Sequence, residues 1–490
     1  MALQVHGKPN YKVLFADSPI VHLVYDSAVI QASPAKYKIK YIADIYVTSI
    51  GANMITAVNK VATLKVIPNA TGRGIFDLSS VVRNYTSPDY EGGIVNFHNN
   101  TEKSTYNGDD WSRKEPHTIH QIDNFSTNRY SMKYIRARFK IEYAETATGD
   151  VSVAAGHTDG DKLLIFNGVI NGTDVLNHDA TYTPAYNLNY FNFIMNDTDA
   201  KFLTNAPTKQ YIRDDDFCTL SYFTEMNTDD GLFQVGSNVS SNTYPSVYQI
   251  KTQFYYNGST TGGVITKTSS MANGGTFGND QYANNKLQFV GVGTGNLIGS
   301  GQALPANWDY YTVIAYDDLG VAISDTYSFY RQVDCGKGYE NIRLTWLNKF
   351  GTWDYYNFNK KSVRGLSSDR KSYKQISGVW NEDKYRQVDH LGGQKTFHTN
   401  IKESITINTD FITETEAQWL EELFISNDVY ILNQRTTDIL TALGAGIINK
   451  YIQPVQITSE SYVKKTTAND KLIQYTLQLE TSRTKRSQRI

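Results

Sequence analysis

LTWLNKFGTWDYYNF, residues 344–358, puts two tryptophans, two tyrosines and two phenylalanines into fifteen positions. Ile342, Leu344 and Trp346 share one parity, residues 348–351 supply a turn, and Trp353 and Tyr355 resume the alternation on the way back. A period of two on both sides of a turn predicts a β-hairpin with its rings against a second sheet. Exposed, the same rings would offer flat faces to a sugar. The alternating positions favour packing, since burying one such ring is worth about 2–3 kcal/mol.

The same period recurs outward from this stretch in both directions. KYKIKYIADIYV (36–47) alternates Tyr37, Ile39, Tyr41, Ala43, Ile45 and Val47 with mostly polar partners, the pattern of a strand with one buried face. VATLKVIP (61–68) repeats it and ends in the turn cluster PNATGRG, and KYIRARFKIEYAE (133–145) returns to it. FDLSSVVRNY predicts a short helix capped by Asp77, with Val81, Val82 and Tyr85 on one face. Residues 90–128 are polar and weakly patterned, which reads as a long excursion. In the middle, DKLLIFNGVING, NYFNFIMND and FCTLSYFTEMN read as short strands, and DYYTVIAY–DDLG–VAISDTYSFYRQVD (309–334) as a hairpin. Towards the C-terminus TETEAQWLEELF predicts one helix: Thr413 and Glu416 have capping-box spacing, and Trp419, Leu420, Leu423 and Phe424 form a stripe. Strands close the chain, with Ile473, Tyr475, Leu477 and Leu479 on one side of the last.

The expected fold class is therefore mainly β: several β-sandwich-like domains with a few short helices, and one capped helix near 413–425. Long helical crossovers are missing, which argues against βαβ units. A length of 490 residues suits about three domains of roughly 150 residues. The expected segments are 1–155, a sandwich-like domain carrying the 90–128 excursion; 156–334, a middle β domain; and 335–490, a β domain with the helix.

Composition narrows the function classes. Apolar residues at 40% and charged residues at 20% exclude a wholly disordered chain. Tyrosine supplies 35 residues, suited to half-buried pleated surfaces. A formal charge of −2 gives no basic excess, so no nucleic-acid partner is expected. Cys218 and Cys335 make no disulfide framework and no zinc spacing. No run approaches the ~18 apolar residues of a membrane span. The N-terminal stretch lacks a basic region followed by an apolar one, so the expectation is a soluble protein made in a cytosol.

The chemistry-bearing candidates are few. GVGTGN, with Gly291, Gly293 and Gly295, invites a dinucleotide loop, but Asn296 stands where the third glycine belongs and no amphipathic helix is predicted to follow. A flexible β-connection is expected instead. His117 and His120 in PHTIHQ are spaced for a helical metal pair, yet Pro116 and the polar surroundings favour a surface pair without further ligands. The acids of DDDFC (214–218) and HTDGDK (157–162) do not match a calcium loop and read as solvated. Loop tryptophans Trp111 and Trp308 are the candidates for stacking on a glycan. No nucleophile motif is present, and the terminal RTKRSQR reads as a solvated tail. No catalytic, cofactor-binding or metal residue is assigned.

Several segments resemble uncharacterised virion structural proteins of tailed bacteriophages of marine and Bacteroidetes hosts. They are VIPNATGRGIFDLSSVVRNY (66–85), FLTNAP (202–207), VDCGKGYENIRLTWLNKFGTWDYYNF (333–358), EAQWLEELFISNDVYILN (416–433) and PVQITSESYVKKTTANDKLIQYTLQLETS (454–482). The resemblance implies a non-enzymatic virion part that assembles as a symmetric homo-oligomer with other virion proteins, in the tail, baseplate or fibre-attachment region. It brings no catalytic residues with it. Residues 90–128 and the Gly/Asn-rich 257–285 are then candidate inter-subunit contacts. The competing expectations are a carbohydrate- or receptor-binding virion protein, whose partner would be a host surface glycan, and a glycan hydrolase.

Overall fold

A computed structural model describes residues 3–9, 12–91, 118–122, 124–169, 193, 195, 198–223, 247–269, 282–299, 303–333, 339–379, 381–432, 452–459, 473–482 and 485–486. Among them the chain is mainly β, with short helices and one longer capped helix. It divides into two compact units. One comprises Met1–Gln332 and Leu347–Asp354, the other Val333–Trp346 and Tyr355–Ile490. The first unit spans the first two expected segments and the turn of the quoted hairpin.

In the first unit, Gln4–Gly7, Val21–Tyr25 and Gly74–Asp77 form a three-stranded antiparallel sheet. A larger sheet runs Val13–Asp17, Leu163–Val169, Met132–Ala144, Tyr37–Thr48, Lys60–Val66, with Ser152–Val153 and Thr158–Asp159 added to the long Met132–Ala144 strand. Its first pair is parallel and the rest antiparallel. The two sheets share one apolar cluster that includes Val24, Phe76, Tyr41, Ala43, Ile45, Phe139 and Ile165. Tyr41 is wholly buried because its hydroxyl is satisfied: it donates to Gly72 O at 2.8 Å and accepts from Asp26 N at 3.1 Å.

Residues 41–47 depart from the expectation of one buried face, since Ile42, Asp44 and Tyr46 on the other face are buried too. The physical reason is a cover of long charged side chains. Lys60 and Lys140 reach Asp44 at 2.6 and 2.7 Å, Lys65 reaches Glu142 at 2.6 Å, and Arg138 grips Asp159 at 2.6 and 3.0 Å.

The rest of the first unit holds two more sheets. Thr219–Phe223, Leu287–Gly291 and Phe125–Thr127 make a buried antiparallel trio. Lys209–Ile212, Tyr327–Arg331, Tyr310–Tyr316, Gln249–Tyr256 and Ser259–Thr268 make a five-stranded sheet. The segment expected as a polar excursion is, over its described end, interior: Ile119, His120, Ile122 and Phe125 are buried, and Asn128 donates to the carbonyls of Ala283, Asn284 and Leu287.

The second unit is built on an eight-stranded sheet in the order Trp353–Phe358, Ile342–Leu347, Val429–Leu432, Ile452–Ile457, Thr476–Thr481, Gly393–Asn408, Val363–Gln375, with Lys485–Arg486 also on Gly393–Asn408. The expected helix is Glu414–Ile425, opened by a capping box between Thr413 and Glu416. Its buried face carries Ala417, Trp419, Leu420 and Leu423, with Trp419 5.2 Å from Trp346. Ile473, Tyr475, Leu477 and Leu479 are all buried, as the closing alternation implied.

Candidate interaction surfaces

The quoted hairpin is core, not a platform. Trp346, Trp353 and Tyr355 are all buried. In the turn, the Asn348 side-chain carbonyl accepts from Phe350 N at 3.0 Å and Thr352 N at 3.1 Å, while its amide donates to Leu203 O at 3.0 Å and to Asp354 at 2.9 Å. Thr352 Oγ1 donates to the same Leu203 carbonyl at 2.7 Å, and Thr204 Oγ1 to Asp354 at 2.7 Å. FLTNAP and the hairpin turn, two of the segments quoted above, are therefore one hydrogen-bonded body. Trp353 Nε1 donates to Asp89 O at 3.0 Å, with the His120 ring edge-on at 4.9 Å. No broad ring face is left for a ligand at these three residues.

The remaining candidates turn out to be structural in their contacts. A six-residue helix, Thr294–Gly299, begins inside GVGTGN, and the connection is tightly packed rather than flexible. Asn296 accepts from Cys218 N at 2.8 Å and donates to the carbonyls of His120 and Ile122 at 2.9 and 2.8 Å. A Cβ on Gly293 would stand 2.4 Å from Cys218 N, so the glycine admits a neighbouring backbone, not a phosphate. His120 is buried in a 3₁₀ turn, Ile119–Gln121, rather than on the surface; His117 lies outside the described residues.

The loop acids have partners, and Asp159, Asp161 and Asp214 also keep contact with solvent, Asp214 with half of its side chain exposed. Asp159 holds Arg138, Asp161 pairs with Lys8 at 2.8 Å, and Asp214 grips Arg331 at 2.9 and 2.7 Å. Asp216 is buried and accepts from Arg213 N at 2.9 Å. Among the described residues no group of three or more His, Cys, Asp or Glu is placed to hold a metal ion. Trp308 is buried against Phe254 and Tyr311, with the Arg331 guanidinium over its ring; Trp111 lies outside the described residues.

Two surfaces stand out instead, and neither was read from the sequence. The first is a row of tyrosines across the five-stranded sheet. Tyr255, Tyr310, Tyr330 and Tyr211 occupy directly opposed positions on four adjacent strands. Tyr255 and Tyr310 stack at 4.7 Å with planes 7° apart, and Tyr310 and Tyr330 at 5.0 Å and 22°. Those separations match the spacing of neighbouring strands, so Tyr255, Tyr310 and Tyr330 stand face to face, while Tyr211 lies 6.2 Å from Tyr330 and is tilted by 49°. The row presents ring edges outward. Lys209 lies over Tyr330 at 4.3 Å, and Tyr211 at the end is 49% exposed. The signal in DYYTVIAY and TYSFYRQVD is tyrosine at the parity opposite to the buried Tyr311, Val313 and Phe329.

The second is a ribbon. Val363–Gln375 pairs with Gly393–Asn408 from Val363↔Thr406 to Gln375↔Gly393. On its other edge Gly393–Asn408 is paired at Ser404–Asn408 and at Asn400–Ile401. From Thr399 to Gly393 the ribbon is thus two-stranded among the described residues, and its residues are mostly exposed on both faces. Leu366 is 63% exposed, Phe397 56% and Tyr373 40%, the last two meeting edge to face at 6.3 Å.

No family model matches the chain, and no curated protein does. Among solved structures, a cryo-EM reconstruction of the native conformation of E. coli alpha-2-macroglobulin aligns at a TM-score of 0.17 and 9% identity. The alignment covers 82% of this chain and 21% of that one. The chain thus spans about a fifth of that protein's length, and at this TM-score the alignment carries no argument about fold or activity.

Proposed function

We propose that this chain is a non-enzymatic structural protein of a bacteriophage virion, working as a homo-oligomer in the tail, baseplate or fibre-attachment region. The observation that carries the reading is the ribbon of residues 363–408, which over 370–375 and 393–399 is two-stranded among the described residues. A two-stranded ribbon with two wet faces is marginal by itself in water and gains from a surface that covers it. Large apolar side chains such as Tyr373 and Phe397, exposed on such an element, are characteristic of subunit contact. The resemblance of the hairpin, FLTNAP, helix and closing-strand segments to virion proteins points the same way. The test is a peptide inventory of purified virions: recovery of this chain at a copy number that is a multiple of three or six supports the reading. Its absence from intact particles rejects it.

A second reading, recognition of a host surface glycan, is favoured by one observation, the tyrosine row. Ring edges and hydroxyls about 5 Å apart, beside Lys209, Gln253 and Ser328, offer hydrogen-bonding groups on a firm sheet. Binding on a glycan array that disappears in Tyr211→Ala and Tyr330→Ala, but not in Tyr256→Ala, would establish it.

A further inference from the structure

The two-stranded part of the ribbon, residues 370–375 and 393–399, carries Arg370, Lys371, Lys374 and Lys395 and no Asp or Glu. The whole of residues 363–408 has eight Lys and Arg against five Asp and Glu, which leaves 39 against 44 for the rest of a chain that totals 47 and 49. The ribbon is thus basic and the remainder acidic. That charge disfavours edge-to-edge pairing of two ribbons. Antiparallel pairing about Asp369 sets Arg364 opposite Lys374, and pairing about Ser372 sets Arg370 opposite Lys374.

A complementary surface exists on the chain itself. The helix Glu414–Ile425 contains four glutamates and no lysine or arginine. Next to it Phe411 is 62% exposed, and Ile425 at its end 63%. Acids with flanking apolar groups match a ribbon of bases with Leu366, Tyr373 and Phe397 exposed among them. Complementary charge of this kind fixes orientation and partner choice at an interface.

We propose that the ribbon of one copy seats on the acidic helix Glu414–Ile425 of a second copy. Such a contact joins two different patches, so it is head to tail and closes into a ring when its rotation permits. The inference rests on the homo-oligomer reading and names the surfaces that would make it.

The test is analytical ultracentrifugation of the full chain, wild type and charge variants, with near-UV circular dichroism to confirm that each is folded. Lys371→Glu with Lys374→Glu weakens association by roughly tenfold or more, Glu414→Lys with Glu421→Lys does likewise, and the combined four-site variant regains it. A second pair, Tyr373→Ser and Phe397→Ser, leaves the charges alone and also weakens association. A wild type that stays monomeric at tens of micromolar, a concentration at which even a micromolar contact is filled, overturns the inference. So does association that ignores both reversals, or that responds to the ribbon but not to the helix. If the chain is monomeric in solution yet found in virions, this inference fails and the proposed function stands; if it assembles as described but is missing from virions, the reverse holds.

Discussion

At the scale of the residue, His22 makes the sharpest commitment. It is buried against Phe139, and its Nδ1 has no hydrogen-bond partner. Burial lowers its pKa from 6.5 to about 4, against the upward pull of the Ile20 backbone and Asp161 and with a small further push from Lys8. The unfolded chain then binds a proton that the native chain refuses between those values. Stability from this group is whole above pH 6.5 and is lost as pH falls towards 4, by about 3 kcal/mol in all. Asp44 does not confuse the window. Burial raises it, but hydrogen bonds from Lys140, Lys60 and Thr63 outweigh that and bring it to about 2, so its stabilisation goes only as pH falls from 3.8 towards 2. Asp89, raised by burial, has the opposite slope. Urea midpoints of wild type and His22→Gln between pH 4 and 7 should converge as the pH falls; parallel curves would show that the ring titrates normally. Gly351 makes a steric commitment. It sits at φ +70°, and a Cβ there would lie 1.3 Å from Asn167 O. Gly351→Ala is expected to cost about 3 kcal/mol or more in a urea melt. Neither position was legible beforehand: a lone histidine in VHLVY has no signature, and the turn at residues 348–351 was readable as a turn but not as one pressed against Asn167.

At the scale of the element, periodicity carried far. The strands at 36–47 and 133–145, and the helix with its Thr413–Glu416 box, stand where alternation and spacing put them, while the hairpin at 309–334 forms with its returning strand starting at Tyr327 rather than straight after DDLG. Replacing Thr413 by Ala should cost about 1 kcal/mol, read as a lower thermal midpoint. Pattern failed where a second layer intervened, as at Ile42 and Tyr46, because a cover of paired lysines and arginines hides a face without making it apolar. It failed also for the tyrosine row, whose members lie on four strands and meet only through register. A double-mutant cycle of Tyr255→Thr and Tyr310→Thr should give a coupling of about 0.5–1.5 kcal/mol beyond the single losses. A coupling near zero would mean that the rings sit side by side without stacking. The ribbon went unread because an element exposed on both faces has no apolar parity to follow.

At the scale of the whole molecule, the division of the chain into its two units is not sequential. The first unit is completed by eight residues, Leu347–Asp354, that come after its long N-terminal run has ended at Gln332. Those residues supply Phe350, which meets Phe15 and Phe193, the Asn348 amide that caps Leu203 O, and Trp353, whose indole answers a carbonyl 264 residues earlier. Such a closure cannot be read locally, since every partner is far away in sequence and none shares a pattern with the turn. It has a consequence for truncation. A fragment ending at Gln332 keeps the four sheets that the described residues of the first unit form but loses the turn that fills its core. The missing Trp353 and Phe350 alone forgo a few kcal/mol of burial each, a large part of the margin by which a domain is stable. Fragment 1–332 should therefore unfold at lower urea than the first unit does within the full chain, and should bind a hydrophobic dye that the full chain ignores. Full-length Phe350→Ala should move in the same direction by a smaller amount, which separates loss of the turn from loss of everything beyond it. A fragment with the same cooperative midpoint as the parent would show that the turn fills no essential space.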